Sequence, residues 1–122
     1  MVKKIEVSDE TYELIKDQLV DKAFSGYKDY VVVRSSGAGC FAGVLEEQDD
    51  NTRKVVLSNV RRLWYWDGAA SLSQLAMEGV KSPENCKFSM ECGYEEIFDV
   101  LEIIQTREAA QKSIREVWVW KN

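Results

Sequence analysis

The chain contains no histidine, which removes the side chain most used as a general acid or base near neutral pH and the commonest metal ligand. Any catalysis would have to run on carboxylates, lysine, tyrosine or cysteine. Cysteine is sparse: Cys40, Cys86 and Cys92 form an odd set, and five residues separate the last two, a wider gap than a zinc knuckle uses. They read as structural thiols, and with no signal peptide they point to a reducing cytosol. There is one proline, no repeat, no low-complexity tract and no apolar run of membrane-spanning length. Positive charge is in deficit. Sixteen Lys and Arg against 21 Asp and Glu give a net charge of −5 and a pI of about 4.8, which argues against a general nucleic-acid coat. A small anionic ligand stays possible, because a local arginine cluster can outweigh distant charge. With 122 residues, 45% of them hydrophobic, the chain suits a single domain with a modest core.

What is present concentrates between Arg53 and Val80. An apolar run, Val55-Val56-Leu57, leads through Val60 and Leu63 to Trp64 and Trp66, with Arg61 and Arg62 side by side before the rings. After Asp67-Gly68 the period becomes helical through Leu72, Leu75 and Ala76. No other stretch joins guanidinium groups to aromatic surface so densely, and an anionic planar ligand needs that combination.

Around this segment the chain reads as follows. Met1 to Val7 predicts a short strand. Ser8 caps an amphipathic helix over residues 9 to 23, with Tyr12, Ile15 and Leu19 at helical spacing and Gly26 ending it. Tyr30 to Val33 is a strand by propensity, Ser35 to Gly39 a turn, and Cys40 to Glu46 the returning strand of a hairpin. A third strand is expected over Arg53–Leu57 and a fourth over Arg62–Trp66. Ser71 caps a helix from Leu72 to Glu78, closed by Gly79. Lys81 to Asn85, with Pro83, is a loop. Cys86 to Cys92 alternates as a strand, with Cys86, Phe88 and Met90 on one face. Residues 94 to 105 fit a turn of helix and then a strand ending near Gln105. Thr106 caps a last helix from Arg107 to about Val117, and Trp118 and Trp120 finish the chain. Sequential short strands with tight turns imply an antiparallel sheet. The expected class is therefore α+β, a small antiparallel sheet with two to three flanking helices.

Adjacent on a strand, Arg61 and Arg62 point to opposite faces, so at most one lines a given pocket. Arg115 lies at the edge of the last helix's apolar face. Phe88 shares a strand face with Cys86 and Met90, a core pattern. A nucleotide would be held by a flat ring on one side of its base, a ring or guanidinium on the other, and arginine at its phosphates. Arg34 precedes a turn rich in glycine and serine, which can be read as an anion-binding nest or as an ordinary hairpin loop. The four tryptophans are read first as packing residues.

The runs VVVRSSGAGCFAGVL, VVLSNVRRLWYWDGAASLSQLAMEGV and EIIQTREAAQKSIREVWVW resemble the phage-encoded Thoeris anti-defence proteins, from about Tyr30 onward. The RR-x-W-x-W-x-GA segment is the most specific part of the likeness. The resemblance implies a sponge: a homo-oligomer, a dimer or as much as a hexamer, in the cytoplasm of the infected bacterial host. Such a sponge binds cyclic ADP-ribose signals from TIR-domain enzymes and withholds them from the effector without cleaving them. It implies a pocket between protomers, with Arg61 or Arg62 at phosphate and Phe88 and Arg115 at the base. Arg34 and the Ser35–Gly39 turn then stand as the candidate second site, for cyclic oligonucleotides. No cofactor or metal is implied.

Two rivals remain at this level. A cyclic-nucleotide hydrolase would need paired carboxylates, for which Asp49-Asp50 and Glu95-Glu96 are the candidates. A protein-interaction or regulatory module would use the aromatic surface to hold another protein.

Overall fold

A computed structural model describes residues 29–121; the strand expected over Met1–Val7 and the helix over residues 9 to 23 lie outside the described residues. The fold is α+β, six antiparallel strands and two helices among the described residues. In chain order these are β1 (Tyr30–Ser35), β2 (Gly39–Asp49), β3 (Lys54–Tyr65), α1 (Leu72–Glu78), β4 (Lys87–Phe88), β5 (Cys92–Ile97), β6 (Val100–Gln105) and α2 (Glu108–Glu116), with a 3₁₀ turn at Pro83–Asn85. Neither helix is long and apolar enough to cross a membrane.

The strands run β4-β3-β2-β1-β6, and β5 pairs with the first half of β3, at the edge whose second half takes β4. Two residues, Phe98 and Asp99, join β5 to β6, although β3, β2 and β1 lie between them. In a flat sheet four strand spacings would separate these strands by about 19 Å. Three peptide links from Ile97 to Val100 reach at most about 11 Å. The sheet therefore has to roll. Its closure is fixed by hydrogen bonds from Ser36 N–H to Asp99 O (3.0 Å), Ser35 Oγ to Phe98 O (2.6 Å) and Val100 N–H to Arg53 O (3.0 Å).

Rolling gives the sheet two buried faces. Inside lie Val31, Val33, Phe41, Val55, Leu57, Val60, Ile97 and Val100. On the outer face Tyr30, Val32, Ala42, Leu63 and Phe88 meet Leu75 and Ala76 of α1, Ile114 of α2 and Val117 just beyond it. This explains why Tyr30 to Val33 are all buried: β1 is covered on both sides and needs no alternation.

The helix Leu72–Glu78 forms as the sequence predicts. Ser71 Oγ accepts the Gln74 N–H at 3.1 Å, and Gly79 caps the other end at φ 76°. A Cβ on Gly79 would lie 2.4 Å from Ser113 Cβ, so α1 and α2 pack at a contact only glycine permits.

Four expectations are corrected. The third and fourth strands are one twelve-residue strand, β3, because its bulge at Asn59 interrupts the alternation without ending the ladder. The run Cys86–Cys92 is not one strand: Lys87 and Phe88 form β4, Cys92 already begins β5, and Met90 between them is exposed; Ser89 binds back to β3. Residues 94 to 105 hold no helix, since Ile97 and Val100 are drawn into the roll as ends of two strands. Thr106 does not cap the last helix. Arg107 occupies that position, and Thr106 Oγ1 donates to Tyr30 O at 2.7 Å.

Candidate ligand-binding surface

The bulge decides the orientation of the paired arginines. Ala42 faces Arg61 and Val44 faces Ser58, so Gly43 alone opposes Asn59 and Val60. Asn59 takes a left-handed conformation at φ 48°. Gly43 is required opposite it, since a Cβ there would lie 2.9 Å from Ser58 O and 3.0 Å from Val60 Cα. The extra residue shifts the alternation by one. Val55, Leu57, Val60 and Arg62 share the inner side, and Arg61 turns out toward the helices with Leu63.

Arg61 is 2% exposed. Its Nε donates to Ser89 O at 2.6 Å, and its Nη1 to the carbonyls of Ile114 (2.8 Å), Val117 (2.7 Å) and, longer, Arg115 (3.4 Å). The guanidinium thus satisfies orphan carbonyls at the C-terminus of α2, where the helix dipole favours a cation. Its Nη2 is buried and has no partner among the described residues. Burial pulls its pKa below the ordinary value, opposed by Tyr30 and Glu91. Arg61 also lies 5.5 Å from the centroid of Phe88, which is fully buried beside Leu63, Leu75 and Ile114. Two residues expected at a ligand therefore meet each other inside the domain, and Phe88 has no surface to offer in this chain.

The other expected residues are placed differently. Arg115 sits near this clamp with Nη2 3.1 Å from Glu91 Oε2. Arg34 is two strands over from β3 and pairs with Glu102 at 2.7 Å. Strand alternation puts it on the same outer side as Tyr30 and Val32, so it does not join Arg62. Asp49 and Asp50 close the β2–β3 turn. The side chain of Thr52 and the backbone N–H of Asn51 hold the Asp49 carboxyl below its usual range. The turn borders a shallow groove of about 350 Å³ that Leu101 and Glu102 line from β6. Glu95 and Glu96 are successive residues of β5 and so point to opposite faces. No group of three or more Cys, Asp or Glu among the described residues could hold a metal ion.

Arg62 turns to the surface. Its guanidinium lies 4.6 Å from the Phe41 centroid and Nη1 donates to Ala38 O at 2.7 Å. Two residues on in β3, where the pairing with β4 shifts register, Trp64 is 52% exposed. Trp64 meets Trp120 edge to face, centroids 5.5 Å apart, and Lys87 Nζ lies 5.3 Å from the Trp120 ring. Trp120 is 42% exposed and Trp118 82%. Three of the four tryptophans are therefore surface residues, and only Trp66 packs against the core beneath the helices. Trp64, Trp120 and Lys87 form a ledge of rings and a cation built from β3, β4 and the segment after α2, and Arg62 lies two residues from Trp64 along β3. Neither Arg62 nor Lys87 has a carboxylate partner among the described residues.

Reading the sequence for charged residues missed most of this ledge. The W-x-W spacing at Trp118 and Trp120 was the available signal, since alternation puts both rings on one side of an extended segment. Nothing local marked Lys87, which reaches Trp120 only through the pairing of β4 with the chain's end.

Comparison with the curated proteins and with the solved structures gives no match. Residues 28–114 match the family described as a domain of unknown function, DUF6948, and the chain belongs to that family.

Proposed function

We propose that the protein binds and sequesters a cyclic ADP-ribose signalling molecule, without cleaving it, and so withholds it from anti-phage defence in the infected bacterial host. The observation that carries this reading is the ledge: exposed tryptophans beside Lys87, with Arg62 two residues from Trp64 along β3 and neither cation with a carboxylate partner among the described residues. An anionic ligand with a flat base satisfies both halves of that surface. Its base stacks on a ring and its phosphates meet Arg62 and Lys87. Tryptophan suits the task because a large rigid ring loses little conformational entropy on binding. The resemblance of the sequence to the Thoeris anti-defence proteins supplies the ligand class and the sequestering mode.

The same reading makes the protein a homo-oligomer with a dimer as its smallest unit. Exposed Trp118, Val119, Tyr65 and Met90 extend the apolar surface beyond what one small ligand would cover. Light scattering that finds a single 14.0 kDa species at micromolar concentration would refute that part.

Calorimetric titration with cyclic ADP-ribose isomers tests the function, with Trp64→Ala and Lys87→Ala alongside. Loss of one stacking ring should weaken binding by about 1–3 kcal/mol. Intact ligand should be recovered after the complex is heat-denatured; a hydrolysed product would turn the reading to an enzyme. No heat with any isomer would turn it to a protein-docking surface, the alternative that the exposure of Trp118 favours.

A further inference from the structure

We infer that Arg61 is a positioning residue: it holds the three separate segments of the aromatic ledge together and acts on a ligand through them. The ledge has little backbone support of its own. β4 is two residues long. The segment after α2 joins it through one isolated parallel bridge, Phe88 to Val119, with Trp120 N–H donating to Phe88 O at 2.9 Å. Two short pairings of this kind resist fraying poorly.

Arg61 bridges all of the parts. It belongs to β3, which carries Arg62 and Trp64. Through Nε it grips Ser89 O, one residue past β4 and two from Lys87. Ser89 is also tied to the neighbouring residue of β3, since its Oγ accepts the Arg62 N–H at 2.8 Å and its N–H donates to Arg62 O at 2.9 Å. Through Nη1 Arg61 grips Val117 O, the residue before Trp118. The guanidinium carbon lies 5.5 Å from the centroid of the Phe88 ring. A planar fork with diverging donors can hold Ser89 and the helix end at once; an ammonium group is a single point of attachment. Rings held in place before a ligand arrives lose less freedom on binding.

The link to ligand affinity rests on the sequestration reading, so the test separates the two. The Trp64–Trp120 pair should give an exciton couplet in circular dichroism, assigned by its loss in Trp120→Phe. Arg61→Met keeps the apolar stem and removes the donors. It should retain the strand signal, lose the couplet and speed hydrogen exchange at the Trp120 amide. Ligand affinity should fall about tenfold, as two freed ring side chains would cost. Arg61→Lys should recover only part of the couplet. A folded Arg61→Met variant with the wild-type couplet and wild-type Trp120 protection overturns the inference. If Arg61→Met fails to fold, Arg61→Lys decides, and a full couplet with full protection there overturns it. Absence of nucleotide binding by the wild-type chain overturns the sequestration reading alone, because the couplet and the exchange rate still report the clamp.

Discussion

Truncating Phe88 to alanine distinguishes a ligand-stacking residue from a core residue most directly. The side chain is fully buried between the sheet and the two helices, among Leu63, Leu75, Ile114 and Val117. Removing a buried phenyl ring loses its transfer free energy and leaves a cavity, together about 3–5 kcal/mol. The Arg61 guanidinium, 5.5 Å from the ring centroid, loses a further contact of about 1–2 kcal/mol. Domains of this size have about 5–15 kcal/mol in total, so Phe88→Ala should unfold partly or wholly. With a urea dependence of about 1–3 kcal/mol per molar, the midpoint should drop by about 2 M or more. Phe88→Leu fills most of the space but also loses the ring contact with Arg61, and should cost about 1–3 kcal/mol, less than alanine. Urea titration followed by fluorescence and circular dichroism measures both. An unchanged midpoint in Phe88→Ala, together with lost nucleotide binding, would refute the reasoning and restore Phe88 to the ligand.

Other substitutions report on the site and the fold. Arg62→Ala should lose about 2–5 kcal/mol of nucleotide affinity, as truncation does for a charge contact that the bound ligand buries. Arg34→Ala, which breaks an exposed ion pair with Glu102, should change it by less than about 1 kcal/mol; calorimetry at one salt concentration compares them, and equal losses would place the ligand elsewhere. Gly79→Ala should destabilise by more than about 1 kcal/mol in a thermal melt, since φ is 76° and the new Cβ would meet Ser113. Burial pushes the Cys86 thiol above its ordinary 9.0, with backbone and side-chain groups of Asp67 as lesser influences. The fold therefore favours the protonated thiol. That contribution is whole below the ordinary value and is lost as pH climbs through it toward the folded one. The melting temperature should fall as pH rises past the ordinary 9.0, and Cys86→Ala should fall less; parallel slopes would show that another group controls the alkaline limb.

Much of the fold was legible because its causes are local. Ser71 and Gly79 bound a helix by capping chemistry that depends on a few neighbouring residues. The Tyr30 and Cys40 strands form a hairpin because β-branched residues flank a glycine-rich turn. Alternation alone required Arg61 and Arg62 to face apart. Which of them is buried beneath the helices was not local. It follows from the bulge opposite Gly43, where a single extra residue reverses the alternation of everything after it. The turn of helix expected at the start of residues 94 to 105 failed for a related reason. Their apolar spacing suits either helix or strand, and closure of the rolled sheet through Phe98 and Asp99 selects strand. Composition showed that aromatic rings and arginines were plentiful, and that no histidine was available. Only the tertiary structure gave Arg61 and Phe88 to the interior and brought Trp64, Lys87 and Trp120 together at the surface. Those residues lie on three segments far apart in sequence, and long-range strand pairing, which no local pattern encodes, is the force that sets them side by side.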